Sequence, residues 1–134
     1  MDFRGKVALI TGSSRGIGAS IAKAFANEGA AIAINYVKNE SAALDTVENC
    51  EKVGGIASSF KADVTNPEEA RLLVESVQSE FGKIDILVNN AFRSYDFDPE
   101  QRKMFWDLNW DHYQSQLEGS LLSTHTLCKA VLPL

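Results

Sequence analysis

Short, mostly apolar runs alternate along this chain with longer stretches in which apolar residues return every three or four positions. The first run, Lys6–Ile10, ends in Val7-Ala8-Leu9-Ile10 and reads as a buried strand. Ile17, Ile21 and Phe25 follow at a spacing of four, which marks a helix with one buried stripe. Asn27-Glu28-Gly29 ends that helix, with Gly29 suited to a left-handed cap. Ala31–Tyr36 predicts a second strand, Asn39 to about Val53 a second helix stopped by Gly54-Gly55, and Ile56–Ala62 a third strand. The third helix carries the clearest signals. Asn66 can cap it, Pro67 suits its first position, and Glu69 completes a capping-box pattern. Ala70, Leu73, Val74, Val77 and Phe81 then share one face, and Gly82 closes the helix. Ile84–Val88 predicts a fourth strand that runs into Asn89-Asn90-Ala91.

The pattern then changes. Phe92 to about Lys103 is polar, charged and aromatic, with Asp96, Asp98 and Pro99 as turn formers. A long helix is expected from Trp106 or Trp110 to Leu132, with Leu117, Leu121, Leu122, Leu127, Ala130 and Val131 on its apolar face. Strand and helix alternate, and the strands are apolar on both faces. That pattern implies a parallel sheet covered on both sides. With right-handed crossovers the expected fold is α/β: a Rossmann-type doubly wound parallel sheet in three α/β/α layers.

The turn after the first strand reads Thr11-Gly12-Ser13-Ser14-Arg15-Gly16-Ile17-Gly18. A glycine-rich turn between a buried strand and a helix suits a phosphate. The backbone can approach the anion closely, and the new helix offers free N–H groups and the positive end of its dipole. The glycines follow G-x-x-x-G-x-G, a weak pattern alone that gains weight from the strand before it and the helix after it.

Composition narrows the classes. The 134 residues allow one domain, and the formal charge of −5, from 13 basic and 18 acidic residues, argues against general nucleic-acid affinity. No charged leader with an apolar stretch opens the chain, and no apolar run approaches membrane-spanning length. Cys50 and Cys128 lie far apart outside any C-x-x-C pair, so reduced thiols and a cytoplasmic location are expected. His112 and His125 lack partners at metal-ligand spacing, so no metal site is expected.

These residues resemble the short-chain dehydrogenases/reductases, and the overall look is similar to bacterial 3-oxoacyl-carrier-protein reductases. The resemblance rests on the Thr11–Gly18 turn, Ala62-Asp63-Val64, Asn89-Asn90-Ala91 and the closing Ala130-Val131-Leu132-Pro133, in the order of the family's N-terminal half. It implies strand order 3-2-1-4. It also implies a pyrophosphate turn of Gly12, Ser13, Ser14, Arg15, Gly16, Ile17 and Gly18, with Ile17 near the nicotinamide side. Asp63 would accept from the adenine amino group and Val64 would support the ring. The other reading of Asp63 is a carboxylate that caps the next helix locally. Asn89 would brace the sheet, with Asn90 and Ala91 beside the cofactor ribose.

The choice of cofactor follows from charge. An NAD site wants a carboxylate at the end of the second strand, where this chain has Asn35-Tyr36. Arg15 and Lys38 could pair with a 2′-phosphate, or could be ordinary solvated cations. The expected cofactor is therefore NADP rather than NAD.

The family's chemistry uses a Tyr-x-x-x-Lys pair, the tyrosine serving as general acid or base. Tyr36, Tyr95 and Tyr113 are followed four residues later by Glu40, Pro99 and Leu117, so no such pair occurs here. The family places the pair after a fifth strand. The chain is therefore expected to be a dinucleotide-binding domain cut short before that strand, inactive by itself, with an open edge on its fourth strand. A homo-oligomer, a swapped dimer or a companion fragment would cover such an edge. Two further departures stand out: Phe92 replaces a usual glycine, and Ser120 or Gln116 occupies the place of an asparagine in the fourth helix. The Phe92–Phe105 loop is either a substrate-side lid or an exposed insertion.

The resemblance implies half of an oxidoreductase that moves hydride between NADPH and a small carbonyl substrate such as a 3-oxoacyl thioester. The competing readings are a non-catalytic nucleotide-binding or assembly module, and a gene remnant that does not fold alone.

Overall fold

The computed structural model describes residues 2–93 and 99–133. Tyr95, Asp96 and Asp98, and with them the middle of the proposed lid, lie outside the described residues. Four parallel strands, β1 (Val7–Ile10), β2 (Ala31–Tyr36), β3 (Ile56–Lys61) and β4 (Ile86–Val88), form one sheet in the order β3-β2-β1-β4. Three helices connect them: α1 (Gly16–Asn27), α2 (Glu40–Lys52) and α3 (Pro67–Phe81). Beyond β4, two single helical turns at Pro99–Gln101 and Phe105–Asp107 precede α4 (Trp110–Leu117), a π turn (Glu118–Leu122) and α5 (Ser123–Val131).

The two-residue side-chain period of the strands divides the core into two layers. Ala8, Ile10, Ile32 and Ile34 face one side with Ala22 and Ala26 of α1 and Ala43 of α2. Val7, Leu9 and Ala33 face the other with Leu73, Val74 and Val77 of α3 and Leu127 of α5. Small alanines on α1 and α2 let those helices sit close to the sheet. Among the described residues no helix is long and apolar enough to cross a membrane.

Several boundaries differ from the expected ones for local reasons. β4 begins at Ile86 rather than Ile84. The rung before it is mixed: the Asp85 N–H donates to the Val7 carbonyl, and the Val7 N–H donates to the Asp85 carboxylate at 2.9 Å. α3 is capped by Asn66, whose Oδ1 accepts the N–H groups of Glu68 and Glu69. The expected reciprocal half is absent, because the Glu69 carboxylate reaches past the cap to the Asp63 N–H at 2.8 Å. Gly82 ends α3 in the left-handed conformation.

The long final helix starts at Trp110, capped by Asn109, and Trp106 belongs to a separate turn. It is also interrupted. The Ser123 N–H reaches the Glu118 carbonyl five residues back, the signature of a π turn. The hydroxyls of Ser120, Ser123 and Thr124 donate to carbonyls at Gln116, Gly119 and Ser120, giving partners to acceptors in the loosened ladder.

Asp85 gives the sheet a pH dependence. The Val7 N–H, then Lys83 and Lys6, hold its carboxyl below the usual carboxylate value. A depressed folded pKa contributes stability above the unfolded pKa, and that contribution is lost as pH falls through the folded pKa. The melting temperature of wild type should therefore exceed that of Asp85→Asn at neutral pH. The gap should shrink on acidification below about pH 4. Thermal scans across that range check this, and a gap independent of pH would contradict it.

Candidate functional site

The loops at the carboxyl ends of β1, β2, β3 and β4 meet around a cleft of about 730 Å³. Its walls are Gly12, Ser14 and Arg15–Gly18 from the first loop, Asn35–Asn39 from the second and Asp63–Thr65 from the third. Asn90–Arg93 after β4 and Gly119 of the π turn complete them.

Close approach explains the glycines. Gly12 has φ +60°, and a Cβ there would lie 3.1 Å from the Ala91 Cα. At Gly18 a Cβ would come within 2.6 Å of the Asn90 Nδ2 and 2.8 Å of the Gly12 carbonyl oxygen. Around Gly16, nothing lies within 4 Å of where a Cβ would be, so that side of the turn is open to a ligand.

Hydrogen bonds, buried or partly buried, hold the loops to one another. The Thr11 Oγ1 accepts the N–H groups of Asn90 and Ala91 at 3.0 and 2.9 Å. In return the Asn90 amide donates to the carbonyls of Thr11 and Gly12. Asn35, fully buried, ties three loops together. Its Oδ1 accepts the Gly12 N–H at 3.2 Å, and its Nδ2 donates to the Ala62 carbonyl at 3.0 Å and the Phe60 carbonyl at 3.4 Å. The Ser13 hydroxyl donates to the Ile10 carbonyl and accepts the Asn35 N–H. From α2, the buried Thr46 hydroxyl donates to the Ser14 carbonyl at 3.0 Å.

The chemistry of the walls suits a phosphorylated ligand. No side chain caps α1, and its first turn holds no acid, whereas α3 has an Asn cap followed by Glu68 and Glu69. The open N–H groups of α1 therefore face the cleft with no competing carboxylate. Arg15 and Lys38 line the cleft and form no salt bridge among the described residues. No acid occurs between Asn35 and Asn39. Tyr36 is buried, and its phenol is pushed up by burial and by the neighbouring Glu40.

Asp63 makes local bonds ahead of α3 and also borders the cleft. Its Oδ1 accepts the Thr65 hydroxyl at 2.7 Å and the Thr65 N–H at 2.9 Å, a local turn ahead of α3. The residue also lines the cleft. The Thr65 bonds hold its carboxyl below the usual value, with a smaller contribution from Arg93. It is therefore an ionised acceptor at neutral pH.

A family model described as short chain dehydrogenase matches residues 6–134. The chain belongs to that family. This short-chain dehydrogenase sequence is 47% identical over 89 residues to an uncharacterised oxidoreductase of Methylorubrum extorquens, covering 66% of this chain and 36% of the relative. It is 44% identical over 91 residues to an L-rhamnose 1-dehydrogenase (NADP(+)) of Thermoplasma acidophilum, covering 68% and 36%. Its fold matches a Burkholderia cenocepacia short chain dehydrogenase solved in complex with NADP. There the TM-score is 0.85 at 35% identity over 99% of this chain and 52% of the other. The chain thus spans about half the length of that solved relative.

Most residues singled out in the sequence converge on the cleft: Gly12, Ser14, Arg15, Gly16, Ile17, Gly18, Asn35, Tyr36, Lys38, Asp63, Val64, Asn90 and Ala91 all line it. Ser13 and Asn89 do not. Ser13 is turned into the core as described, and the Asn89 amide lies 3.6 Å from the Cys128 sulfur, tying β4 to α5. Ser120 and Gln116 also lie off the cleft, bonded to each other within the helix. Sequence reasoning missed Val37, Asn39, Thr65, Arg93 and Gly119 among the lining residues, and Thr46 behind them. Arg93 stands two residues beyond Asn89-Asn90-Ala91, which was a usable signal. Thr46 carried none.

Asn35→Asp tests the tie between the loops. The change keeps the acceptor toward Gly12 but sets a buried carboxylate against the Ala62 and Phe60 carbonyls. The variant should lose about 2 kcal/mol or more of unfolding free energy at neutral pH. Burial raises the folded pKa of the new acid, so the deficit should shrink as pH falls and the carboxyl protonates. Urea titrations at mildly acidic and neutral pH measure it. A deficit absent at neutral pH would contradict the role of Asn35.

Proposed function

We propose that this chain is the cofactor-binding half of an NADP-dependent oxidoreductase acting on a small carbonyl or alcohol substrate. The observation that carries the proposal is the uncapped, acid-free N-terminus of α1 opening on a cleft that also holds Arg15 and Lys38. In this reading the pyrophosphate sits against the N–H groups of the Gly12–Gly18 turn. Arg15 and Lys38 pair with the 2′-phosphate, where an acid at the end of β2 would repel it. Asp63 accepts from the adenine amino group with its remaining oxygen, Val64 supports the ring, and Asn90 and Ala91 border the ribose. Ile17, exposed at the mouth, packs toward the nicotinamide side.

The bound cofactor supplies or accepts a hydride. The chain's own residues bind it, orient it and neutralise its charge. Residues 1–134 contain no Tyr-x-x-x-Lys pair, so proton transfer to the substrate oxygen is assigned to residues beyond them. Among the relatives, the Thermoplasma enzyme named for NADP(+) and the Burkholderia NADP complex support this choice of cofactor. The competing reading, a binding module without catalysis, predicts the same cleft and differs only in turnover.

The full-length protein should bind NADPH more tightly than NADH. Replacing both Arg15 and Lys38 by Ala should weaken NADPH by about 10- to 100-fold, the scale of a lost charge-assisted hydrogen bond, and leave NADH unchanged. Titration calorimetry gives both constants. Equal affinity of the wild type for the two cofactors would overturn the NADP assignment. Binding of NADPH without its oxidation across a panel of ketones would favour the non-catalytic module.

A further inference from the structure

Arg93 has a place in the cleft that the proposed contacts do not use. It lines the same cleft as Asp63, Val64 and Thr65, and its charge acts on Asp63. Its position depends on Gly119. A Cβ on Gly119 would stand 2.8 Å from the Arg93 N, Cβ and Cγ atoms, so the absent side chain is the seat of the arginine. From there the guanidinium runs along α4. Its Nη1 donates to the Ser115 hydroxyl at 3.2 Å, and its Nη2 lies 3.9 Å from the Glu118 carboxylate. Those contacts engage the N–H edge of the group. A guanidinium is planar and bonds through its edge, so its face is left free to stack on a flat aromatic ring.

On this basis, and resting on the NADP reading above, we propose that Arg93 forms the α4-side wall of the adenine pocket and stacks on the purine. Val64 then supports the ring from the β3 loop, and Asp63 reads its amino group. The arginine's charge adds little long-range attraction, because Asp63 and Glu118 stand close to it. Its contribution is contact with the base. Arg93 therefore sets affinity for the adenine end of the cofactor and leaves the nicotinamide end untouched.

The test uses the full-length protein and two cofactor halves, adenosine 2′,5′-bisphosphate and nicotinamide mononucleotide, followed by calorimetry or competition. Arg93→Ala should weaken the adenosine bisphosphate and NADPH by the same factor, about 3- to 30-fold, the range of a cation–π contact. Nicotinamide mononucleotide should be unaffected. Arg93→Tyr, which restores a flat face without charge, should recover most of the loss. Gly119→Ala keeps the guanidinium but fills its seat, and should weaken adenosine bisphosphate similarly. The new Cβ would also press on the Arg93 backbone N, so melting temperature should fall in Gly119→Ala, whereas Arg93→Ala and Arg93→Tyr, which leave that backbone contact unchanged, should keep it. Unchanged adenosine bisphosphate affinity in Arg93→Ala overturns the proposal, as does equal weakening of both halves. A wild type that binds no adenine nucleotide overturns the NADP reading itself, and this proposal with it.

Discussion

The buried amide of Asn35 is the constraint on which the cleft depends. Three chain segments end at the same rim of the sheet, and nothing in the strands fixes how their loops lie relative to one another. Asn35 does so by accepting from the Gly12 backbone and donating to the ends of β3 at Phe60 and Ala62. Thr11 and Asn90 perform the same office between β1 and β4. The Asn35 bond to Ala62 is buried and the others are partly so, and an unmade buried donor or acceptor costs about 1–3 kcal/mol, which favours one arrangement of the loops.

Preorganisation of this kind bears directly on binding. A loop ordered only by its ligand consumes part of the binding free energy in becoming ordered. Here the glycine turn is held on three sides: by Asn35 from β2, by Asn90 from β4 and by Thr46 from α2. The turn can therefore present its N–H groups and the positive end of α1 at a fixed distance from Asp63 and from Lys38. A ligand with one anionic centre would use a fraction of that surface. A dinucleotide with phosphates at two places along its length would use all of it.

Much of this was legible in the sequence, because local signals carried it. The strand pattern, the Asn66-Pro67 start and Gly82 end of α3, and the spacing of Gly12, Gly16 and Gly18 depend on residues a few positions apart. The order β3-β2-β1-β4 followed from resemblance and crossover handedness, and the structure agrees. What was not legible depends on contacts between distant positions. The part of Asn35 in joining loops required knowing that residues 13 and 62, separated from it by 22 and 27 positions, come to its side. Thr46 meets Ser14 across 32 positions. Glu69 looked like half of a capping box and instead bonds Asp63. The π turn gave no periodic warning, and it brings Gly119 against Arg93, a contact between positions 26 residues apart.

These loops are proposed to form a dinucleotide cleft already in its binding geometry. A crystal structure of the full-length protein with NADPH tests it most directly. The expected complex has the pyrophosphate against the N–H groups at the start of α1, the adenine between Val64 and Arg93, and the Asn35 bonds to Gly12 and Ala62 unchanged. A nucleotide bound elsewhere, or a glycine turn that must release Asn35 to admit it, would show that the cleft is not preformed for a dinucleotide.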